Sequence, residues 1–121
     1  MLFRSLKQAG EQYESLLVQS LGDRLVEAAS EWLHAEVRTH LWGYAADEQL
    51  TPKQMFSAAY RGIRPAVGYP SLPDQRTIFP LAKLLDVESI GITLTENGAM
   101  YPQSSLCGLY IASAHARYFV L

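Results

Sequence analysis

The sequence predicts an α+β fold, in which a long N-terminal helix and short helices pack on a small antiparallel sheet. Apolar residues repeat at helical spacing through the first third of the chain, prolines and glycines interrupt the middle, and strand-like runs fill the last third. With 121 residues, of which 49% are hydrophobic, the chain can bury a core without disulfides or a bound metal. We therefore expect residues 1–121 to form a single domain.

The first element is predicted as one amphipathic helix from about Glu11 to Leu41. No proline interrupts this stretch, and its apolar side chains recur at spacings of three and four, which places them on one face of a helix. These side chains are Tyr13, Leu17, Leu21, Leu25, Ala28, Trp32, Leu33, Val37 and Leu41.

A short second helix is predicted from about Pro52 to Arg61. Thr51 is placed to cap it, proline suits the first helical position, and Gln54 completes a capping box. Gly62 ends the helix and opens a loop that reaches Pro73. Three prolines in this loop remove backbone donors, so we expect ordered but irregular structure there.

A third helix follows the loop and ends near Leu85. Either Asp74 or Thr77 can cap it, and Pro80 is tolerated because it lies in the first turn.

The last third predicts an antiparallel sheet. The expected strands are Ile92–Met100, Ser105–Ser113 and Arg117–Leu121. We place the turn between the first two at Tyr101-Pro102, because that position leaves arms of similar length. Asn97-Gly98, the strongest local hairpin dipeptide, is the competing position for the turn.

Composition excludes several classes of function. A net charge of −2 lacks the basic face that nucleic-acid binding requires, and no run of about 18 apolar residues predicts a membrane span. Cys107 is the only cysteine, so metal and redox patterns built on cysteine pairs are absent, and we expect a cytoplasmic protein with no metal site. Templates for phosphate loops, nucleophile elbows and zinc proteases are also absent. We interpret the three histidines, His34, His40 and His115, as structural or surface residues.

The loop from Arg61 to Pro70 is the most specific segment. Prolines stiffen its backbone and glycines permit close approach by a ligand. An arginine fork and an aromatic ring at its two ends, Arg64 and Tyr69, suit a carboxylate and a flat ring or sugar. The loop therefore has the chemistry to bind a small zwitterion, although a rigid connector with an exposed arginine remains the alternative.

Several segments, in one order along the chain, carry a resemblance to a known family. They are DRLVEA at 23–28, WGYA at 42–45, RPAVGYP at 64–70, LTE at 94–96, AMYP at 99–102 and Gly108-Leu109-Tyr110. Together they resemble the activation domain of cobalamin-dependent methionine synthase, over most of the chain from about Gln12 onward. The family's domain is longer at its N-terminal side and carries a helical tail, so we expect a partial or shortened version of it.

The resemblance implies a module that binds S-adenosylmethionine and presents its methyl group to cob(II)alamin held by a neighbouring cobalamin-binding domain. Flavodoxin or a flavoprotein reductase supplies the electron. The chain is then part of a methyltransferase and is not expected to be catalytic alone.

The resemblance also assigns roles within the loop. Arg64 matches the arginine that holds the methionyl carboxylate of S-adenosylmethionine. Ala66, Gly68 and Tyr69 match positions that line the ligand.

Four further positions take roles from the family. Tyr110 and Ile111 match strand positions that flank the same pocket, and Ile111 replaces an aromatic residue. Glu27 matches an acidic residue near the positive end of the ligand, and Asp23 matches the contact with the cobalamin domain. Because Asp23 and Glu27 are four residues apart, a helix places both on one face.

The alternative function is that of a non-enzymatic interaction or assembly fragment, with an incomplete ligand site, whose exposed helix face pairs with another chain. The wide apolar stripe of the first helix also predicts a possible homodimer.

Overall fold

The computed structural model describes residues 10–118. Its first element, helix α1, spans Gln12–Glu36 and continues into one wider π-helical turn at Val37–Leu41. The backbone N–H groups of Trp42 and Gly43 both reach the Val37 carbonyl, at 3.0 Å. The predicted helix from Glu11 to Leu41 is thus confirmed, with its last turn in π rather than α geometry.

Helix α2 spans Pro52–Phe56 and begins with the predicted capping box. The Gln54 backbone N–H donates to the Thr51 hydroxyl oxygen, and the Thr51 N–H donates to the Gln54 side-chain oxygen. The predicted extent to Arg61 is wrong, because Ala58 adopts a left-handed conformation with φ of 56° and ends the helical path.

The loop from Gly62 to Pro73 is irregular, as predicted, and is held by the segment around Gly108. Isolated antiparallel bridges join Ile63 to Ile111 and Ala66 to Gly108. Between them the Leu109 N–H donates to the Pro65 carbonyl at 2.9 Å.

Helix α3 spans Ile78–Leu85 and follows a short 3₁₀ turn at Gln75–Thr77. Asp74 caps this turn by accepting the Arg76 backbone N–H at 3.0 Å. Asp86, with φ of 52°, ends the helix, and a second 3₁₀ turn follows at Val87–Ile90.

Within residues 10–118 the sheet consists of two short antiparallel strands, β1 at Thr93–Leu94 and β2 at Met100–Tyr101. The turn between them is at Asn97-Gly98, since the Thr95 N–H donates to the Ala99 carbonyl and Gly98 has φ of 85°. The expected turn at Tyr101-Pro102 is therefore wrong and the competing one is right. The Asn97-Gly98 dipeptide favours a tight turn, which sets the register of the two strands. Pro102 has no N–H with which to extend the ladder beyond β2.

The strand expected over Ser105–Ser113 is also wrong. Gly108 and Ile111 each form a single bridge, but no continuous ladder joins them. The partner segment contains Pro65, which cannot donate to a ladder. Of the strand expected over Arg117–Leu121, residues 117 and 118 are not extended into a sheet, and residues 119–121 lie outside the described part.

The apolar core of the described residues is small and consists of Val37, Ile63, Val67, Ile78 and Ala82. Near its C-terminal end helix α1 buries His34, and the turn that follows buries Val37, whereas most apolar side chains of its first four turns are exposed. Tyr13, Leu17, Leu21 and Leu25, named here the N-terminal stripe, are each between 52% and 70% exposed. The predicted α+β class is confirmed. Among the helices of residues 10–118, none has the length and apolar character of a membrane span.

Candidate functional site

A cleft of about 420 Å³ lies where helix α1 meets the proline-rich loop. Helix α1 contributes Glu27 and Glu31 to its wall, and the loop contributes Arg64, Ala66 and Tyr69. The end of the described chain adds Tyr118. Four of the residues that the sequence singled out, namely Glu27, Arg64, Ala66 and Tyr69, thus surround one space.

Arg64 supplies the positive charge of the cleft. Its side chain is only 15% exposed, and its Nη2 lies 3.3 Å from the carboxylate of Glu31. Its Nη1 donates to the Ser30 carbonyl at 3.0 Å. These bonds engage two of the five guanidinium N–H groups, so donors remain for a ligand.

The loop backbone turns sharply beside Arg64. Gly68 has φ of 89°, its N–H donates to the Leu72 carbonyl, and the Tyr69 N–H donates to the Ala66 carbonyl. A Cβ at Gly68 would meet only the end of the flexible Gln75 side chain, so the positive φ is what favours glycine there. Gly68 shapes the loop, while Ala66 and Tyr69 line the cleft.

Tyr110 lines a second hollow of about 220 Å³, which shares Arg64 and Ala66 with the cleft. The structure therefore brings Tyr110 next to the loop. Ile111 instead binds Ile63 through its backbone, with N–H to carbonyl distances of 2.9 and 3.0 Å. Ile111 is placed to hold the loop, and it is not among the described residues that line either space.

Asp23 and Glu27 lie one turn apart on helix α1, but in different surroundings. Glu27 faces the cleft. Asp23 accepts a hydrogen bond from the Ser104 hydroxyl at 2.9 Å, and nearby Gln19 donates to Gln103. Asp23 is exposed, and it lies at the side of the helix where the segment after β2 passes.

Sequence reasoning missed two tyrosines and a glutamate at this site. The Tyr60 and Tyr118 hydroxyls bond to each other, and the Tyr118 oxygen accepts the Arg64 backbone N–H at 2.9 Å. Burial and the bond to Tyr118 raise the pKa of Tyr60, which keeps its hydroxyl neutral. Glu31 follows Glu27 by four residues, so helical spacing carried a signal for it that was not used.

His34 lies behind the cleft, fully buried. Its ring packs edge-on against Tyr60, with centroids 4.7 Å apart, and tilts over Tyr110 at 5.4 Å. Burial, with the charges of Arg38 and Arg64, lowers its pKa to about 3. Neither ring nitrogen has a hydrogen-bond partner among residues 10–118. The interpretation of His34 as a structural residue agrees with this packing.

Acidic, histidine and cysteine side chains of the described range form no group of three that could hold a metal ion. The cleft presents a guanidinium, two carboxylates and aromatic faces to a ligand.

The chain is similar to known proteins both in sequence and in structure. A family model described as vitamin B12 dependent methionine synthase, activation domain, matches residues 1–121. A crystal structure of the MetH reactivation domain bound to AdoHcy, which is S-adenosylhomocysteine, is similar with a TM-score of 0.91 and 38% identity. The match covers 98% of this chain and 37% of that one, so this chain spans little more than a third of its structural relative.

Proposed function

The chain belongs to the family of activation domains of vitamin B12-dependent methionine synthases, and from this premise we propose that it binds S-adenosylmethionine in the cleft. In this proposal it presents the methyl group to cobalamin held by a neighbouring domain, which reactivates the enzyme by reductive methylation. The reaction belongs to the assembled methyltransferase, and this chain supplies the site for the methyl donor.

The observation that carries the proposal is the position of Arg64. A largely buried guanidinium with unused donors, on the wall of a cleft, favours a carboxylate ligand, because two parallel N–H groups match its two oxygens. The methionyl group of S-adenosylmethionine carries such a carboxylate. The similar structure holds S-adenosylhomocysteine, which is the same molecule without the transferable methyl group.

Other groups around the cleft suit the rest of the ligand. The Tyr69 ring offers a flat face for an adenosine ring system, and the backbone at Ala66 and Gly68 allows close approach. Glu27 contributes a negative charge, which favours the positive sulfonium. We assign Tyr110 and Ile111 to the flank of the same site, with Ile111 acting through its backbone bonds to the loop.

Partners of the assembled enzyme form a second part of the proposal. We assign Asp23 to the contact with the cobalamin-binding domain, because it is exposed one turn from Glu27 on the same helix. We assign electron supply to flavodoxin or a flavoprotein reductase. Residues 1–121 act as one unit in these contacts, and the N-terminal stripe is where a homodimer would form.

Calorimetric titration of the full chain with S-adenosylmethionine tests the proposal. We expect saturable binding, and weaker binding of adenosine, which lacks the carboxylate that Arg64 recognises. Absence of binding, together with self-association of the chain, would instead support the alternative of an assembly fragment.

A further inference from the structure

Glu31 carries a carboxylate that the ligand role of Arg64 does not account for. It lines the same cleft, three quarters covered, with one oxygen 3.3 Å from the Arg64 guanidinium. Its other oxygen, Oε1, is shielded from solvent and has no hydrogen-bond partner among the described residues. A desolvated carboxylate oxygen without a donor is unfavourable, so this position favours a ligand that brings a donor.

The distance between Glu31 and Arg64 supports the same conclusion. Charge-assisted bonds between nitrogen and oxygen are commonly about 2.7 to 2.9 Å long, whereas this one is 3.3 Å. The two side chains are in contact without forming a short charge-assisted bond, so the Glu31 carboxylate can still accept a hydrogen bond from a second cation.

An α-amino acid carries its carboxylate and its ammonium on one carbon. Arg64 and Glu31 present the opposite charges side by side. A ligand aligned antiparallel to this pair places its carboxylate on Arg64 and its ammonium near Glu31, and no net charge is added to the cleft.

We propose that Glu31 binds the α-ammonium group of the amino-acid part of the ligand, after a small rotation that turns its carboxylate toward the cleft. Glu31 and Arg64 together then select a free α-amino acid end. This inference rests on the proposed function, and it adds the discrimination between zwitterionic ligands and those lacking the amino group.

A competing role for Glu31 predicts the opposite change in ligand affinity when Glu31 is removed. If Glu31 only neutralised Arg64 in the empty site, it would compete with the ligand carboxylate, and its removal would strengthen binding. If it binds the ammonium, its removal weakens binding, and only for ligands that carry an ammonium.

The test compares S-adenosylhomocysteine with its deaminated analogue, in which hydrogen replaces the α-amino group and the carboxylate is kept. S-adenosylhomocysteine is chosen because it lacks the sulfonium charge that would also respond to acidic residues. Calorimetry on the full chain should show that the wild type prefers S-adenosylhomocysteine by roughly tenfold or more, the size of one charge-assisted hydrogen bond. In Glu31→Gln the ratio of the two affinities should fall to near one.

Glu14→Gln is the matched control, since Glu14 lies in the first turn of the same helix and is exposed. It should retain the full preference. Equal affinity of the wild type for both ligands would overturn the inference without any variant, so a failure of Glu31→Gln to fold leaves the test intact. Tighter binding of both ligands by Glu31→Gln would also overturn it. If the wild type binds neither ligand, the proposed function itself fails.

Discussion

Gly62 lies against the backbone of Ile111, and a Cβ at Gly62 would be 2.0 Å from the Ile111 carbonyl oxygen. This approach occurs beside the bridge that ties Ile63 to Ile111, where the loop is anchored. The contact explains why the loop that carries Arg64 begins with glycine.

Gly62→Ala should therefore destabilise the protein strongly, because the added methyl group must displace backbone rather than a flexible side chain. Gly91→Ala is the matched control: Gly91 has a similar positive φ of 83°, but a Cβ there meets nothing within 4 Å. Denaturant unfolding should show a loss of about 1 kcal/mol for the control, from backbone strain alone, and a clearly larger loss for Gly62→Ala. Equal losses of unfolding free energy in the two variants would mean that the close approach at Gly62 adds nothing to the cost of the substitution.

Arg64→Ala should weaken S-adenosylmethionine binding by more than tenfold, since truncating one partner of a buried charged pair costs about 2 to 5 kcal/mol. Arg64→Lys should recover only part of the affinity, because an ammonium keeps the positive charge but lacks the forked geometry. Arg61→Ala is the control, since Arg61 is exposed and bonds the Ala112 carbonyl. Calorimetric titration measures all three, and a loss in Arg61→Ala as large as in Arg64→Ala would contradict the assigned role.

His34 should make stability depend on pH. The pKa of this residue is about 3 in the folded protein against an ordinary value of 6.5, so between these values the unfolded chain binds a proton that the folded chain does not. The free energy of unfolding should thus fall as the pH falls from 6.5 toward 3, by up to about 1.4 kcal/mol per pH unit from this residue.

Chemical denaturation at a series of pH values checks this dependence. His34→Gln should flatten the profile over that interval, while His115→Gln, at an exposed position, should leave it as in the wild type. If the free energy of unfolding of His34→Gln varied with pH as steeply as that of the wild type, other titratable groups would cause the dependence.

The N-terminal stripe should drive self-association at high concentration, because its apolar side chains are exposed along one side of helix α1. Sedimentation velocity should show a mass that rises with concentration in the wild type and falls toward the monomer in Leu21→Lys. Leu84→Lys, at an 81% exposed position on helix α3, should associate like the wild type. A strictly monomeric wild type would refute the prediction.

Local signals in the sequence were reliable for the starts of helices, although helix α2 ends before the predicted Arg61. The apolar period predicted helix α1, and Thr51 with Gln54 predicted the start of helix α2. The hairpin was misplaced because matched strand lengths were preferred over the Asn97-Gly98 dipeptide, whose turn chemistry is stronger.

Contacts between distant residues explain what the sequence could not predict. Glu31 and Arg64 are separated by 33 residues, and Tyr60 and Tyr118 by 58, so no spacing rule connects them. The strand expected over Ser105–Ser113 failed for a related reason: whether a segment forms a ladder depends on its partner, and here the partner contains prolines.

The bond between Ser104 and Asp23 joins two parts of the chain that lie 81 residues apart, the segment after β2 and the middle of helix α1. An ionised carboxylate has about four acceptor positions, and the Ser104 hydroxyl, 2.9 Å away, uses one of them. A hydrogen bond at such an exposed position contributes only about 1 kcal/mol. In the role proposed for it, Asp23 would therefore accept a donor of the cobalamin-binding domain while it still holds the segment after β2.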